Sequence, residues 1–247
     1  MSSLRAVIFD LGGTLIDWPD WDEDIERRWA LSYDHLTSTL SRERWPERDA
    51  YVRAMRGAEK DHWVQVAASQ ISSTPTDLLR EGFRRLEWQV SAEELLVALD
   101  GYSRAVVGWA IIFPDAVETL LVLRRRGYRL GLLSNTWWAA EWHDADLAAH
   151  GLTSLFDTVA YTSDLPHSKP HPSAFLTVTS RLNVEPTECV MIGDRMIDDI
   201  SGALNVNMRA IWKKTDYPWP RPQHITPSAI ITDLAELPPL LRAWEET

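Results

Sequence analysis

Asp10 closes a short apolar run, Val7-Ile8-Phe9, and is followed at once by Leu11-Gly12-Gly13-Thr14-Leu15. A carboxylate at the carboxyl end of a buried strand stands where open α/β sheets place their chemistry. Three further segments could act with it: Leu132-Leu133-Ser134-Asn135, Ser168-Lys169-Pro170, and Ile192-Gly193-Asp194 followed by Asp198-Asp199. Taken singly, each has an ordinary explanation. Asp10 could cap a helix after a strand, Ser134-Asn135 could be turn chemistry, and Lys169 could be an exposed loop residue. Asp198 and Asp199 could simply complement the dipole of a helix in its first turn. Their occurrence together in this order, each beside an expected strand or helix boundary, is a strong pattern. Lysine usage sharpens it. Only four of the 25 basic residues are lysine, so a lysine kept inside a motif points to a need for a compact ammonium.

Such residues need a scaffold that delivers them to one place. Residues 4–10 read as a parallel strand, apolar in near-continuous succession. Further strands are expected at 128–133, 156–161, 188–193, 208–213 and 229–231, with helices at 115–126, 138–150, 172–182 and 197–206. Repeated βα units imply an α/β fold with a parallel, doubly wound sheet. From about 20 to 110 the pattern is helical. One helix runs through Ile25, Trp29, Leu31 and Leu36, and others cover 47–69, 76–89 and 91–107. The last begins at Ser91, with Glu94 at the capping-box position. The chain therefore reads as a core of residues 1–17 and 110–247, with a helical insertion, 18–109, placed after the first strand. The stretch 217–227, with four prolines, reads as a surface loop.

Composition excludes several function classes. A content of 45% hydrophobic and 25% charged residues allows a sizeable core. A formal charge of −11 argues against general nucleic-acid binding, which needs basic patches. Arg124-Arg125-Arg126, the longest basic run, reads as the solvated last turn of a helix. Cys189 is the single cysteine, so neither an internal disulfide nor a cysteine-based metal cluster can form. It reads as a buried small hydrophobe. The apolar run 105–113 is far too short to span a bilayer, and no signal peptide is expected. The expectation is a cytoplasmic monomer or homodimer with no membrane partner.

The four segments resemble the motifs of the haloacid dehalogenase-like hydrolase superfamily, most of whose members are magnesium-dependent phosphatases. The resemblance covers almost the whole chain and makes residues 18–109 an α-helical cap domain. It implies that Asp10 attacks the phosphorus of a small phosphorylated metabolite and becomes an aspartyl-phosphate. A carboxylate is a weak nucleophile, so it needs a cation and in-line geometry. Ser134 and Asn135 would hydrogen-bond the phosphoryl group through a hydroxyl and a backbone N–H. Lys169 would set a point charge against nucleophile and phosphoryl oxygens. Mg2+ would be bound by Asp10, the Gly12 carbonyl and Asp194, hard oxygen ligands that suit it. Asp199, counted with the metal group, would orient waters or Lys169, and the role of Asp198 stays open. Thr14 and Trp137 complete the implied substrate contacts. Asn207, where the family usually has glycine, tolerates the left-handed conformation a helix end often needs. Gly202-Ala203 would allow close helix–sheet packing.

One residue departs from the pattern. The family's phosphatases carry a second aspartate two residues after the nucleophile, which protonates the leaving group and then activates water. Here that residue is Gly12, and such acid–base catalysis contributes ~10²–10⁴-fold. A low-pKa leaving group, such as a sugar-1-phosphate or acyl phosphate, would not need it. Asp17, Asp20 or a cap residue could replace it. Alternatively the chemistry differs. The dehalogenase branch lacks this aspartate and dispenses with Mg2+, but typically loses the pair present here as Gly193-Asp194. The phosphonatase branch uses a cap lysine as a Schiff base, for which Lys60 is the one candidate. A catalytically weak phosphate-ligand-binding protein is the non-enzyme alternative. Among 13 tryptophans, Trp18 or Trp21 with Trp137 or Trp138 could wall the cleft for a sugar or ring-bearing substrate, the alternative being packing of core and cap. Opening and closing about crossings near 17–21 and 107–113 would admit substrate.

Overall fold

A computed structural model describes residues 3–18 and 24–246. Asp20 and Trp21, named above as a candidate acid and a candidate wall residue, lie outside the described residues. In chain order the elements are β1 (Ala6–Phe9), β2 (Ile16–Asp17), α1 (Ile25–Thr39), α2 (Arg48–Ser69), α3 (Pro75–Arg85) and α4 (Ala92–Val106). Then follow β3 (Ile111–Ile112), α5 (Ala116–Arg125), β4 (Arg129–Ser134), α6 (Ala140–Ala149), β5 (Thr158–Tyr161) and α7 (Pro172–Leu182). The chain continues through β6 (Cys189–Gly193), a π-helical segment at Met196–Ser201, α8 (Gly202–Asn205), β7 (Arg209–Lys213), β8 (Ala229–Ile231) and α9 (Leu237–Glu245).

Six strands form one sheet in the order β5-β4-β1-β6-β7-β8, every pair parallel. The expected doubly wound parallel sheet is what the sequence folds into. Period-two alternation divides β1 between two cores. Val7 and Phe9 join Leu120 and Leu123 of α5 and Leu237 and Leu241 of α9 on one face. Ala6 and Ile8 join Phe175 and Val178 of α7 and Ala203 of α8 on the other. Register then sets the site. Phe9 lies level with Leu132 of β4 and with Ile192 of β6, so the chain leaves all three strands at one edge, carrying Asp10, Ser134 and Asp194. The order reverses at β1, which has β4 on one side and β6 on the other. That is the crevice where such sheets bind ligands.

Helices α1–α4 gather a separate apolar cluster that includes Trp29, Tyr51, Met55, Leu79, Phe83 and Tyr102. Capping boxes at Thr74/Asp77 and Ser91/Glu94 start α3 and α4. Close approach of α1 and α4 depends on Gly101, where an added Cβ would lie 2.9 Å from the backbone Cα of Ser32. Alanine there forces a backbone shift costing about 1–3 kcal/mol.

Several local expectations need correction. Helix α3 ends at Arg85 rather than at 89, because Glu87 adopts a left-handed conformation (φ 52°). The expected helix 197–206 is a π-helical segment followed by one short α-helical turn. Gly202 packs against α7 rather than the sheet, with Phe175 ring carbons 2.5 Å from where a Cβ would stand. The antiparallel β2/β3 pair at the two crossings and helix α9 were not expected. Cys189 is buried, Arg124 and Arg125 end α5, and Asn207 has φ 62°, all as expected. Among the described residues, no helix is long and apolar enough to cross a membrane.

Candidate active site

Lys169 organises the sheet edge. Its Nζ donates to Asp10 Oδ1 at 2.6 Å, Asp199 Oδ1 at 2.6 Å and the Leu133 carbonyl at 2.8 Å. All three N–H bonds are used, and only 2% of the residue is exposed. Burial pulls the lysine pKa down, yet the Asp10 and Asp199 carboxylates override it and hold the ammonium charged. Asn135 sets the lysine's backbone: its Nδ2 donates to the Lys169 carbonyl at 2.9 Å, and its Oδ1 accepts from the Lys169 N–H at 2.8 Å. The Asn135 side chain is thus engaged in positioning, and its backbone N–H is what could serve a substrate.

Two glycines make room for the acids. Gly13 has φ +75°, and a Cβ there would sit 2.6 Å from Asp194 Oδ2. A Cβ at Gly193 would sit 2.3 Å from the Asp199 carboxylate carbon. Asp10, Asp194 and Asp199 are all buried, and one carboxylate oxygen from each falls within 4.8 Å of the others. Burial first, and the nearby Asp10 charge second, push the Asp194 carboxyl above its ordinary range. Asp199 is raised by burial and by repulsion from Asp10 and Asp194, against the pull of Lys169. We take Asp199 as ionised, because the ammonium sits on it at hydrogen-bond distance. Lys169 bridges Asp10 and Asp199 and leaves Asp194 outside its grip, where Arg195 and Lys213 act on it through space only. Asp194 Oδ1 is moreover buried without a partner among the described residues. Hard oxygens gathered within reach of one another and an orphaned acceptor fit a divalent cation.

The other sequence-derived candidates divide. Ser134 ends β4 and is buried at the same edge. Thr14 is fully buried, and its hydroxyl has no partner among the described residues. Asp198 turns to Arg195 (3.3 Å) and does not join the acidic group. Trp137 is not brought to the carboxylates. It is 1% exposed, stacks on Trp29 (5.9 Å, 10°) and donates to Glu59 inside the helical cluster. As a substrate contact it is corrected to packing, and the buried Trp138 packs there too. Lys60 is exposed on α2. Asp17 has both oxygens engaged, Oδ1 by the Trp18 N–H at 2.9 Å and Oδ2 by the Tyr217 hydroxyl. Trp18 itself takes up the room beside Gly12: a Cβ there would lie 3.0 Å from the Trp18 ring.

Residues missed in the sequence also surround the acids. Lys213 is buried and donates to the Gly13 carbonyl at 3.1 Å. The Trp212 indole N–H donates to the Asp194 carbonyl at 2.9 Å. That of Trp219 donates to Asp194 Oδ2 at 3.0 Å. The scarcity of lysine applied to Lys213 as well as to Lys169. No sequence signal marked the two tryptophans.

The chain matches the haloacid dehalogenase-like hydrolase family over residues 4–207. It is 30% identical over 246 residues to a glyceraldehyde 3-phosphate phosphatase of Methanothermobacter thermautotrophicus, covering 96% of this chain and 100% of the relative. Among solved structures, a HAD phosphatase from Thermococcus onnurineus superposes with TM-score 0.61 at 27% identity, over 96% of this chain and 98% of that one. A 2-haloacid dehalogenase from Pseudomonas syringae pv. Tomato DC3000 gives TM-score 0.65 at 26% identity, over 98% and 99%. Sheet order, the carboxylate group gathered by one buried lysine, and the extent of the match agree: this chain is a hydrolase and belongs to the haloacid dehalogenase-like family.

Proposed function

We propose that the protein is a Mg2+-dependent phosphatase of small phosphorylated metabolites, with residues 18–109 as a cap over the site. The observation that carries this is the Oδ1 of Asp194, unpartnered among the described residues, beside the Lys169-bridged pair of Asp10 and Asp199. A halide-displacing enzyme has no use for that third buried carboxylate. Asp10, the Gly12 carbonyl and Asp194 would hold the cation, with Asp199 beside them. When bound, it neutralises phosphoryl oxygens and lets an anionic substrate approach an anionic nucleophile.

Asp10 attacks phosphorus through its carboxylate, the bond to the leaving oxygen breaks, and the leaving group departs with the electron pair. Lys169 keeps Asp10 ionised and aimed. The Ser134 hydroxyl and Asn135 backbone N–H steady the transferred group, and Thr14 lies in the turn that follows Asp10. Water then attacks phosphorus in the aspartyl-phosphate, releasing phosphate and restoring Asp10. No side chain at residue 12 supplies a proton, and the Trp18 ring stands beside it, 3.0 Å from where a Cβ would lie. Leaving groups stable as anions, such as aryl, acyl or anomeric oxygens, are therefore favoured.

The test is a panel of phosphate esters spanning leaving-group pKa, assayed with Mg2+ and with chelator, beside a short 2-haloacid panel. Cation-dependent turnover that falls steeply as leaving-group pKa rises is the expected result. Metal-independent halide release would instead establish the dehalogenase reading, which the absent acid at Gly12 favours. Silence in both panels, with phosphate ligands raising Tm, would leave a ligand-binding protein.

A further inference from the structure

The segment after β7 does more than cover the surface. Tyr217 and Trp219 are partly buried within it. It is tied down at both ends of the site, by Lys213 to the Gly13 carbonyl and by the Tyr217 hydroxyl to Asp17. Arg221 closes it on itself, donating to the carbonyls of Thr215 (2.8 Å) and Tyr217 (3.2 Å). This frame fixes Trp219, whose ring also lies under the Arg195 guanidinium at 4.0 Å. Its indole N–H, aimed from the held loop, meets Asp194 Oδ2 at 3.0 Å, with the Thr215 hydroxyl at 3.5 Å from the same oxygen. The two oxygens of Asp194 are thereby made unequal: one is held by a neutral donor, the other is buried and unpartnered among the described residues.

We propose that Trp219 is a positioning residue, gripping Asp194 by Oδ2 so that Oδ1 is presented to the divalent cation. This rests on the cation-dependent reading above. A ligand carboxylate free to rotate must be ordered as the cation binds, whereas one already held offers a single oxygen in a fixed direction. A neutral indole donor suits the task, because it orients the carboxylate without cancelling the charge that attracts the cation. Partners of this kind typically contribute 10–100-fold in metal affinity or activity.

Calorimetric titration of the full chain with Mg2+ and with Mn2+ tests it, comparing wild type, Trp219→Phe and Tyr217→Phe. Phenylalanine retains a ring beneath Arg195 and deletes the N–H. For Trp219→Phe we expect the cation Kd to rise about 10-fold or more. The Mg2+ concentration for half-maximal turnover of an aryl phosphate should rise in step, with kcat at saturating Mg2+ within about 2-fold of wild type. Tyr217→Phe, which cuts the tie to Asp17 and spares the indole, should leave Kd within about 2-fold. An unchanged or tighter Kd for Trp219→Phe overturns the proposal, and so does an equal loss in Tyr217→Phe, which would assign the effect to loop anchoring. NMR of ¹⁵N-indole-labelled wild type gives an arm independent of any variant's folding. The Trp219 Nε1–H resonance should shift with Mg2+ along the calorimetric binding curve, and a resonance unmoved at saturation counts against the assignment. Failure of wild type to bind either cation overturns the cation-dependent reading and this inference with it. Binding by wild type with no loss in Trp219→Phe removes the inference alone.

Discussion

Two of the places where this molecule buries carboxylates treat them differently. At the sheet edge, Asp10 and Asp199 share one ammonium, and Asp194 keeps an oxygen without a partner among the described residues. In the helical cluster, Glu59 is 2% exposed and has each oxygen met by an indole: Oε2 by Trp29 at 2.9 Å, Oε1 by Trp137 at 3.3 Å. Its pKa is raised, chiefly by burial, with the two indoles and the buried Arg28 pulling the other way. Glu59 is satisfied within the protein, as buried polar groups usually are. The sheet-edge acids are satisfied only in part, and the remainder is the place a ligand can fill. What sets the sheet-edge group apart from Glu59 is neither burial nor a raised pKa but three carboxylates whose oxygens fall within 4.8 Å of one another.

The largest effect that could break this comparison is on turnover. Asp10→Asn removes the proposed nucleophile and is expected to lower kcat by at least ~10³-fold, whereas Glu59→Gln should alter kcat by less than about 3-fold. A Glu59 variant as inactive as the Asp10 variant would place Glu59 in the chemistry. Next comes the lysine. Lys169→Met leaves two carboxylates facing a buried hydrocarbon and should cost about 3–5 kcal/mol in urea unfolding. Saturating Mg2+ should restore part of that loss, and equal midpoints with and without Mg2+ would contradict a cation site there. Glu59→Leu strands two indole N–H groups, so about 2–4 kcal/mol should be lost, with no recovery on adding Mg2+.

The smallest effect concerns pH. His143 packs between the two regions, stacked on Trp138 and Tyr161, with Nε2 at 2.9 Å from Thr136 Oγ1. Burial lowers its pKa to about 3, against about 6.5 when unfolded. Between these values the unfolded chain binds a proton that the folded chain refuses. Stability from this group is complete above about pH 6.5 and declines as pH falls, by about 2 kcal/mol from pH 7 to pH 5. His143→Gln should flatten the urea-midpoint profile over that interval. Parallel profiles for wild type and variant would show that the imidazole is not held neutral.

The motif residues were legible because each sits at the end of a local pattern. Val7–Phe9 and Leu132–Leu133 are apolar runs ended by a polar residue, Val190–Ile192 is one ended by Gly193-Asp194, and parallel pairing aligns such ends without further instruction. The capping box at Ser91 was legible for the same reason, since its partner Glu94 is three residues away. Two-residue strands such as β2 and β3 have too little length for periodicity to register, so their pairing went unseen. Helix α9 opens on Pro238-Pro239, which reads as a break although proline is tolerated in a first helical turn.

What the amino-acid sequence determined by itself is the order of the βα units, the family, and the identity of Asp10, Ser134, Lys169 and Asp194 as the residues at the sheet edge. Tertiary structure alone decided which partners those side chains meet. Asn135 grips Lys169 across 34 residues, Trp219 reaches Asp194 across 25, and Trp137 finds Glu59 across 78. The physical reason lies in range. Periodicity and capping act within a few residues and leave marks in the linear chain, whereas a hydrogen bond between distant segments leaves none until packing brings its donor to its acceptor.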